Sequence, residues 1–382
     1  MARGPVASFV ALVVPSLVAE SGACSVSLLD AAGRACDDTH SCRDGRICSA
    51  GQCVALDASS PPDAGGTDGA SAVTCTRVAS PGGSDANPGT LEQPFATVGR
   101  LVAALGPGIV GCLRAGTYAG NVDIGKGGSA GALATLRSYP GERAQLAGRI
   151  LIGAPATFFA LSNVDVDGTN SLGDSGAIVL ASDVLLEDDD FTTTSMFGCV
   201  RLGDLQGADA SRAVVRRNRI HRCGLSSTDT AFGVMVVNGG NIRLEDNVIY
   251  DNPDHGILFY PAAHDSLATH NVLDGNGANV IFGGTTSATA HDNVVERNVV
   301  TFPATGRNVG SFYDPGATIG KGNVVRRTCL FGGGAKGGVP DAPQGFSVSP
   351  DNVVADPAYV DRAARDFRLG PSSACLAVVE GP

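Results

Sequence analysis

Carboxylates gather at two places in this 382-residue chain: Asp165 with Asp167, and the run Glu187-Asp188-Asp189-Asp190. The two clusters start 187 − 165 = 22 residues apart. Oxygen ligands of this kind suit a hard cation. Asp165, Asp167, Asp188 and Asp190 are therefore candidate Ca²⁺ ligands, and Ca²⁺ is the one cofactor to consider. The competing reading is a pair of acidic turns facing solvent. A second group lies in Tyr260-Pro-Ala-Ala-His-Asp265, preceded by His255. His255 and Tyr260 flank one apolar stretch, and as an acid–base pair they would have to face the same way. The plainer reading is a surface imidazole. Arg201, with Asp204 and Asp229 as expected neighbours, is the nearest approach to a base set among carboxylates. Lysine is scarce: Lys126, Lys321 and Lys336 all sit in Gly-rich turns.

Whatever these groups do depends on the elements that hold them. A phrase recurs at Asn218-Arg-Ile, Asn247-Val-Ile, Asn271-Val-Leu and Asn298-Val-Val, at intervals of 247 − 218 = 29, 271 − 247 = 24 and 298 − 271 = 27. Repeats of this length mean stacked supersecondary units. The unit around Asn247 holds three short apolar strands, 241–244, 248–250 and 256–260. Three strands per unit predict an all-β solenoid of three parallel sheets. The repeated Asn belongs at one corner, where stacked amides satisfy backbone groups that a tight bend leaves unpaired. Asn218, Asn247, Asn271 and Asn298 are thus expected to form a ladder, with Asp189 one coil earlier and Thr328 one coil later. Period-2 alternation puts Val234, Val236, Ile257, Phe259, Val280 and Phe282 inside. It puts Val179, Arg201, Met235, Leu258, Tyr260 and Ile281 on one outer wall. That wall is mostly apolar and suits a neutral glycan better than a chain of uronates.

The rest of the chain reads as accessory parts. Phe95, Val98, Leu101, Val102 and Leu105 fall at helical spacing before Gly106-Pro107, and predict a helix that covers the open apolar end of the stack. Residues 1–23 have the form of a signal peptide: Arg3, then an apolar core over 6–18 too short to span a bilayer. Cleavage would release the protein, or Cys24 would carry lipid and so anchor it to a membrane. There are 11 Cys, which in an exported chain read as disulfides. Cys36, Cys42, Cys48 and Cys53 make a stapled segment over 24–54. Residues 55–74 form a linker almost without large apolar side chains. Cys75 and Cys112 flank the predicted helix and are expected to pair; Cys199 with Cys223 and Cys329 with Cys375 are further candidate pairs. The net charge of −11 argues against nucleic acid and anionic lipid as partners, because both require a basic footprint.

From residue 75 onward the chain resembles the exported bacterial proteins of the right-handed parallel β-helix, pectate-lyase-like family. The shared phrases are Gly83-Ser-Asp-Ala-Asn-Pro-Gly-Thr90, Pro94-Phe-Ala-Thr97, Arg114-Ala-Gly-Thr-Tyr118, Tyr139-Pro-Gly-Glu-Arg143, Ala355-Asp-Pro-Ala-Tyr359 and Asp366-Phe-Arg-Leu369. The resemblance implies a β-helix domain over 75–382 in a secreted or outer-surface lipoprotein of a bacterium. The expected partner is an extracellular polysaccharide or envelope glycan held along the side wall. The alternative it implies is a polysaccharide lyase acting by β-elimination, in which a Lys or Arg base works beside carboxylate-bound Ca²⁺.

Overall fold

The computed structural model describes residues 74–224 and 230–379, and the backbone of a short antiparallel hairpin, Ile47–Ser49 with Gln52–Val54. Segment 1–23, Cys24, Cys36, Cys42, most of the linker and Asp229 lie outside the described residues. Cys48 and Cys53 are opposite partners in the hairpin backbone.

From Arg77 the chain winds as a parallel solenoid of three sheets. Among the described residues the first sheet has eleven strands, from Arg77–Ala79 to Phe346–Val348; the second has ten, from Gly116–Ala119 to Val353–Val354; the third has eight, from Val122–Ile124 to Arg307–Tyr313. Each coil contributes one strand to each sheet in turn. The strands are short because corners recur every few residues, and alternate side chains point into the tube. Val164 and Val166 are buried while Asp165 and Asp167 are half-exposed. The interior is a continuous apolar column in which Phe259 stacks on Phe282 at 5.4 Å and Phe282 on Phe346 at 5.5 Å.

The corner between the first and second sheets is the tightest. In successive coils Asp188, Arg217, Asp246, His270, Arg297 and Arg327 all adopt positive φ there, between 44° and 59°. The next residue in each coil turns inward: Asp189, Asn218, Asn247, Asn271, Asn298 and Thr328, all buried. Asn218 Nδ2 donates to Asn247 Oδ1 at 3.0 Å, Asn247 Nδ2 to Asn271 Oδ1 at 2.9 Å, and Asn271 Nδ2 to Asn298 Oδ1 at 2.9 Å. Each of these oxygens also accepts the backbone N–H of the preceding rung. The αL residue lets the chain turn, and the amide behind it satisfies the groups that the turn exposes. Two further polar columns occupy the other corners. One runs through Asn252, Asn276, Asn279 and Asn308, the other through Ser266, Asn293 and Asn323. The irregular spacing of these residues in sequence hid both columns.

The capping helix spans Val98–Ala103, shorter than the predicted stretch because Thr97 caps it, accepting from the Arg100 N–H at 3.1 Å. Phe95, Val98, Leu101, Val102 and Leu105 are buried in the same core as the coils. Disulfides join Cys75 to Cys112, Cys199 to Cys223 and Cys329 to Cys375. One expected orientation is reversed. Val179 points inward, and Ile178 stands in register with Arg201 on the outer wall. Pairing Ile178 rather than Val179 with Arg201 moves every side chain of this strand to the other face.

Near the C-terminus an antiparallel hairpin, Tyr359–Asp361 with Asp366–Leu369, folds back onto the second sheet. Phe367 packs against Tyr250, and Arg362 and Arg365 bind Asp274 and Asp251. Among the described residues, no helix is long and apolar enough to cross a membrane.

Candidate functional site

A wide hollow lies on the outer wall of the third sheet, where the strands lengthen. Phe232–Gly240 has 9 residues and His255–His264 has 10, against 3 in most strands of the other sheets. The longer strands make a platform about four coils deep. Registers across them build two rows. Phe232, His255, Ala278 and Arg307 are successive partners in one row; Met235, Leu258, Ile281 and Gly310 follow in the next. Leu258, Ala278 and Ile281 form a small apolar cluster outside the tube, with Met235 and Tyr260 packed beside it. The result is a groove of about 640 Å³. At one end it meets a second hollow of about 330 Å³, which shares Arg307 and Ser311. Gly310 keeps the floor low, since a Cβ there would already lie 3.1 Å from Ile281 Cδ1.

Two aromatic rings stand over this floor. Tyr260 and Phe312 have ring centroids 6.1 Å apart and planes tilted by 50°. Phe312 is 58% exposed, unusual for so large an apolar side chain. The Tyr260 hydroxyl donates to Asp314 Oδ1 at 3.3 Å, and burial together with the Asp314 charge pushes its pKa up. The polar residues around the groove are Thr230, Asp254, His255, Thr305, Arg307 and Ser311.

His255 and Tyr260 therefore lie in one groove. Arg201 shares the wall but is engaged elsewhere: it binds Asp174 at 3.0 Å. The expected neighbour Asp204 instead accepts from the backbone N–H groups of Gln206 and Ala208. Sequence reasoning missed Phe312 and Arg307. Phe312 lies 52 residues (312 − 260) from Tyr260, a separation that gives no local signal.

The four candidate Ca²⁺ ligands do not converge. Asp165 and Asp190 are in register on the second sheet, but arginine and histidine fill the space around them. Arg143 binds Asp165 at 2.7 Å, and Arg217 binds Asp188 at 2.7 Å. Asp190 takes His221 Nε2 at 3.0 Å and Arg219 at 3.5 Å. Burial opposes its ionisation, yet the His221 hydrogen bond and the charges around it hold its pKa below the usual carboxylate range. Asp167 accepts the Thr169 N–H at 3.1 Å. Among the described residues, no three His, Cys, Asp or Glu side chains gather as a metal site requires. The cluster is an ion-pair network along the outside of the coils.

Residues 150–323 match the family described as the right handed beta helix region. Pectate lyase PEL9 of Emericella nidulans is 39% identical over 89 residues, 22% of this chain and 22% of that protein. The uncharacterized protein YwoF of Bacillus subtilis is 35% identical over 75 residues, 20% of this chain and 16% of that protein. The chain thus matches less than a quarter of the length of either relative. The crystal structure of pectate lyase Pel9A is similar with a TM-score of 0.52 at 15% identity, covering 79% of this chain and 91% of that one. At that identity the likeness is one of fold. Three parallel sheets with Asn-laddered corners, together with these matches, give the chain a right-handed parallel β-helix fold of the pectate-lyase-like kind.

Proposed function

We propose that the protein binds an extracellular polysaccharide or cell-envelope glycan along the groove of its third sheet. The observation that carries this reading is the exposed Phe312 beside Tyr260, over an apolar cluster edged by a few polar groups, Asp254 among them. Apolar lining with a few convergent polar groups is the usual character of a small-molecule or saccharide site. The C–H faces of a sugar ring pack on aromatic surface, while its hydroxyls take the rim donors. In this reading residues 1–23 direct export, Cys24 anchors the chain through lipid, and 24–74 form a stapled stalk that presents the β-helix of 75–382. Three disulfides among the described residues fit an oxidising compartment.

The test is binding of soluble glycans of varied charge, by calorimetry or affinity electrophoresis, to the wild type and to Phe312→Ala and Tyr260→Ala. Binding should weaken roughly tenfold in each variant, about 1.4 kcal/mol. Equal binding by Phe312→Ala and the wild type would remove the groove from the reading.

A second reading is favoured by Arg307, a guanidinium at the rim of the same groove as His255, and by the partial match to a pectate lyase. It is a polysaccharide lyase acting by β-elimination. Ultraviolet absorbance of unsaturated products, followed on uronic polysaccharides with Ca²⁺ and with a chelator, decides between them. Turnover that disappears with the chelator and in Arg307→Ala would replace the binding reading.

A further inference from the structure

Two histidines outside the groove share a geometry that nothing above uses. His264 and His291 occupy equivalent places in successive coils, joined by a parallel bridge at the turn that leads back to the first sheet. Their rings stack, with centroids 5.4 Å apart and planes within 12°. Each is followed by an aspartate, and each Nδ1 lies 2.9 Å from that neighbour's carboxylate: His264 from Asp265, His291 from Asp292. A carboxylate only accepts, so Nδ1 carries the proton. In the neutral ring the lone pair is then on Nε2. Among the described residues neither Nε2 makes a hydrogen bond. The side chains are 38% and 45% exposed.

The turn beneath them is rigid. Ser266 and Asn293, two residues beyond each histidine, are buried rungs of the third polar column. The place before His264 is cleared by glycine, and the counterpart of His291 in the following coil is Lys321, whose carbonyl accepts the Asp292 N–H at 2.9 Å. Gly240 is the partner of His264 in the preceding coil, and a Cβ there would run into the imidazole. On the other side a Cβ at Gly322 would run into the Asp292 carboxylate.

We propose that His264 and His291 form a two-imidazole site for a borderline divalent transition metal, with Zn²⁺ as its representative. The metal would bind both Nε2 atoms, leaving its remaining positions to water or to an incoming ligand. A carboxylate on the far nitrogen is the arrangement that fixes tautomer and orientation in metal-binding histidines and raises their basicity. Imidazole selects Zn²⁺, Cu²⁺ or Ni²⁺ over the oxygen-seeking Ca²⁺. Two nitrogens on one tetrahedral Zn²⁺ stand about 3.3 Å apart, closer than the ring spacing here. The rings must therefore tilt toward each other on binding, which their exposure allows. This site is independent of the glycan groove and of the carboxylate network on the second sheet.

The experiment is calorimetric titration of the intact protein with ZnCl₂ and, separately, CaCl₂. One Zn²⁺ site is expected in the wild type and none in His264→Ala/His291→Ala. Asp265→Asn/Asp292→Asn should weaken binding by about 10–100-fold, while His270→Ala leaves it unchanged. A readout that needs no variant is proton NMR, in which Zn²⁺ should shift the ring signals of two histidines and Ca²⁺ neither. The proposal is overturned if the wild type takes up no Zn²⁺ at micromolar concentration. It is equally overturned if the double-alanine variant binds as the wild type does, or if Ca²⁺ moves the same two signals.

Discussion

The ladder shows how much rests on single side chains. Asn247 accepts the backbone N–H and the amide of Asn218 and donates to the Val215 carbonyl at 2.8 Å. Truncation to alanine strands all three groups in a buried corner. Asn247→Ala should therefore cost about 1–3 kcal/mol, read from urea midpoints. Asp189 is the opposite case. It holds a rung position, accepting from Val164 and donating its backbone N–H to Asn218, but its Oδ2 is buried without a hydrogen-bond partner. Burial pushes its pKa well above the ordinary carboxyl range. An amide there would place its NH₂ toward the Leu161 carbonyl, the in-register counterpart of the Leu186 carbonyl that Asn218 uses. Asp189→Asn should stabilise the fold by about 1–2 kcal/mol. The sign with pH follows from linkage. A carboxyl whose folded pKa is raised supports the fold below its unfolded pKa, and that support is lost as pH rises through the folded value. The gain from Asp189→Asn should thus be larger near neutrality than below the ordinary aspartate range. A gap between the two proteins that stays flat with pH would show that Asp189 is not held protonated.

At the scale of elements, structure that the repeats do not contain closes the first end of the stack and straps one flank. The helix Val98–Ala103 covers the first coils, and Cys75–Cys112 ties the strands on either side of it. The C-terminal hairpin straps the second sheet. Its Arg362 donates to both oxygens of Asp274, at 2.9 and 3.0 Å, and Asp274 has no exposed side-chain surface. Thr301 supplies a further donor at 2.8 Å. Even so, burial leaves the Asp274 pKa raised. Arg362→Ala would leave that carboxyl without its cation. Because Arg362 is itself partly exposed, the loss should be about 2 kcal/mol, below the cost of breaking a fully buried pair. Hydrogen exchange should show the hairpin of 359–369 opening first in this variant while the central coils keep their protection.

For the whole molecule, charge and shape separate cleanly. Most of the arginines on the coils are committed to carboxylates on neighbouring coils, as in Arg216 and Arg217 on Glu187 and Arg326 and Arg327 on Glu296. Binding of a neutral glycan should change by less than about twofold between about 50 and about 500 mM salt, because no exposed ion pair contributes to it. A steep fall with salt would instead point to an anionic ligand on Arg307.

Local signals in the chain suffice to specify the winding. Asn recurrence, period-2 alternation and Gly/Pro punctuation are local signals, and each coil repeats them, so the solenoid, its cap and the paired cysteines were legible. The one outward residue misplaced, Val179 for Ile178, lies in a strand of 3 residues, too short for alternation to fix its phase. Which side chains meet across coils emerges only once the coils are stacked. Tyr260 and Phe312 share a groove, Asp165 and Asp190 are separated from any cation by arginine, and His264 lies on His291. Such neighbours are set by the number of residues in each loop between corners. That number varies from coil to coil, so stacking partners stand 22 to 54 residues apart with no pattern in the sequence to mark them.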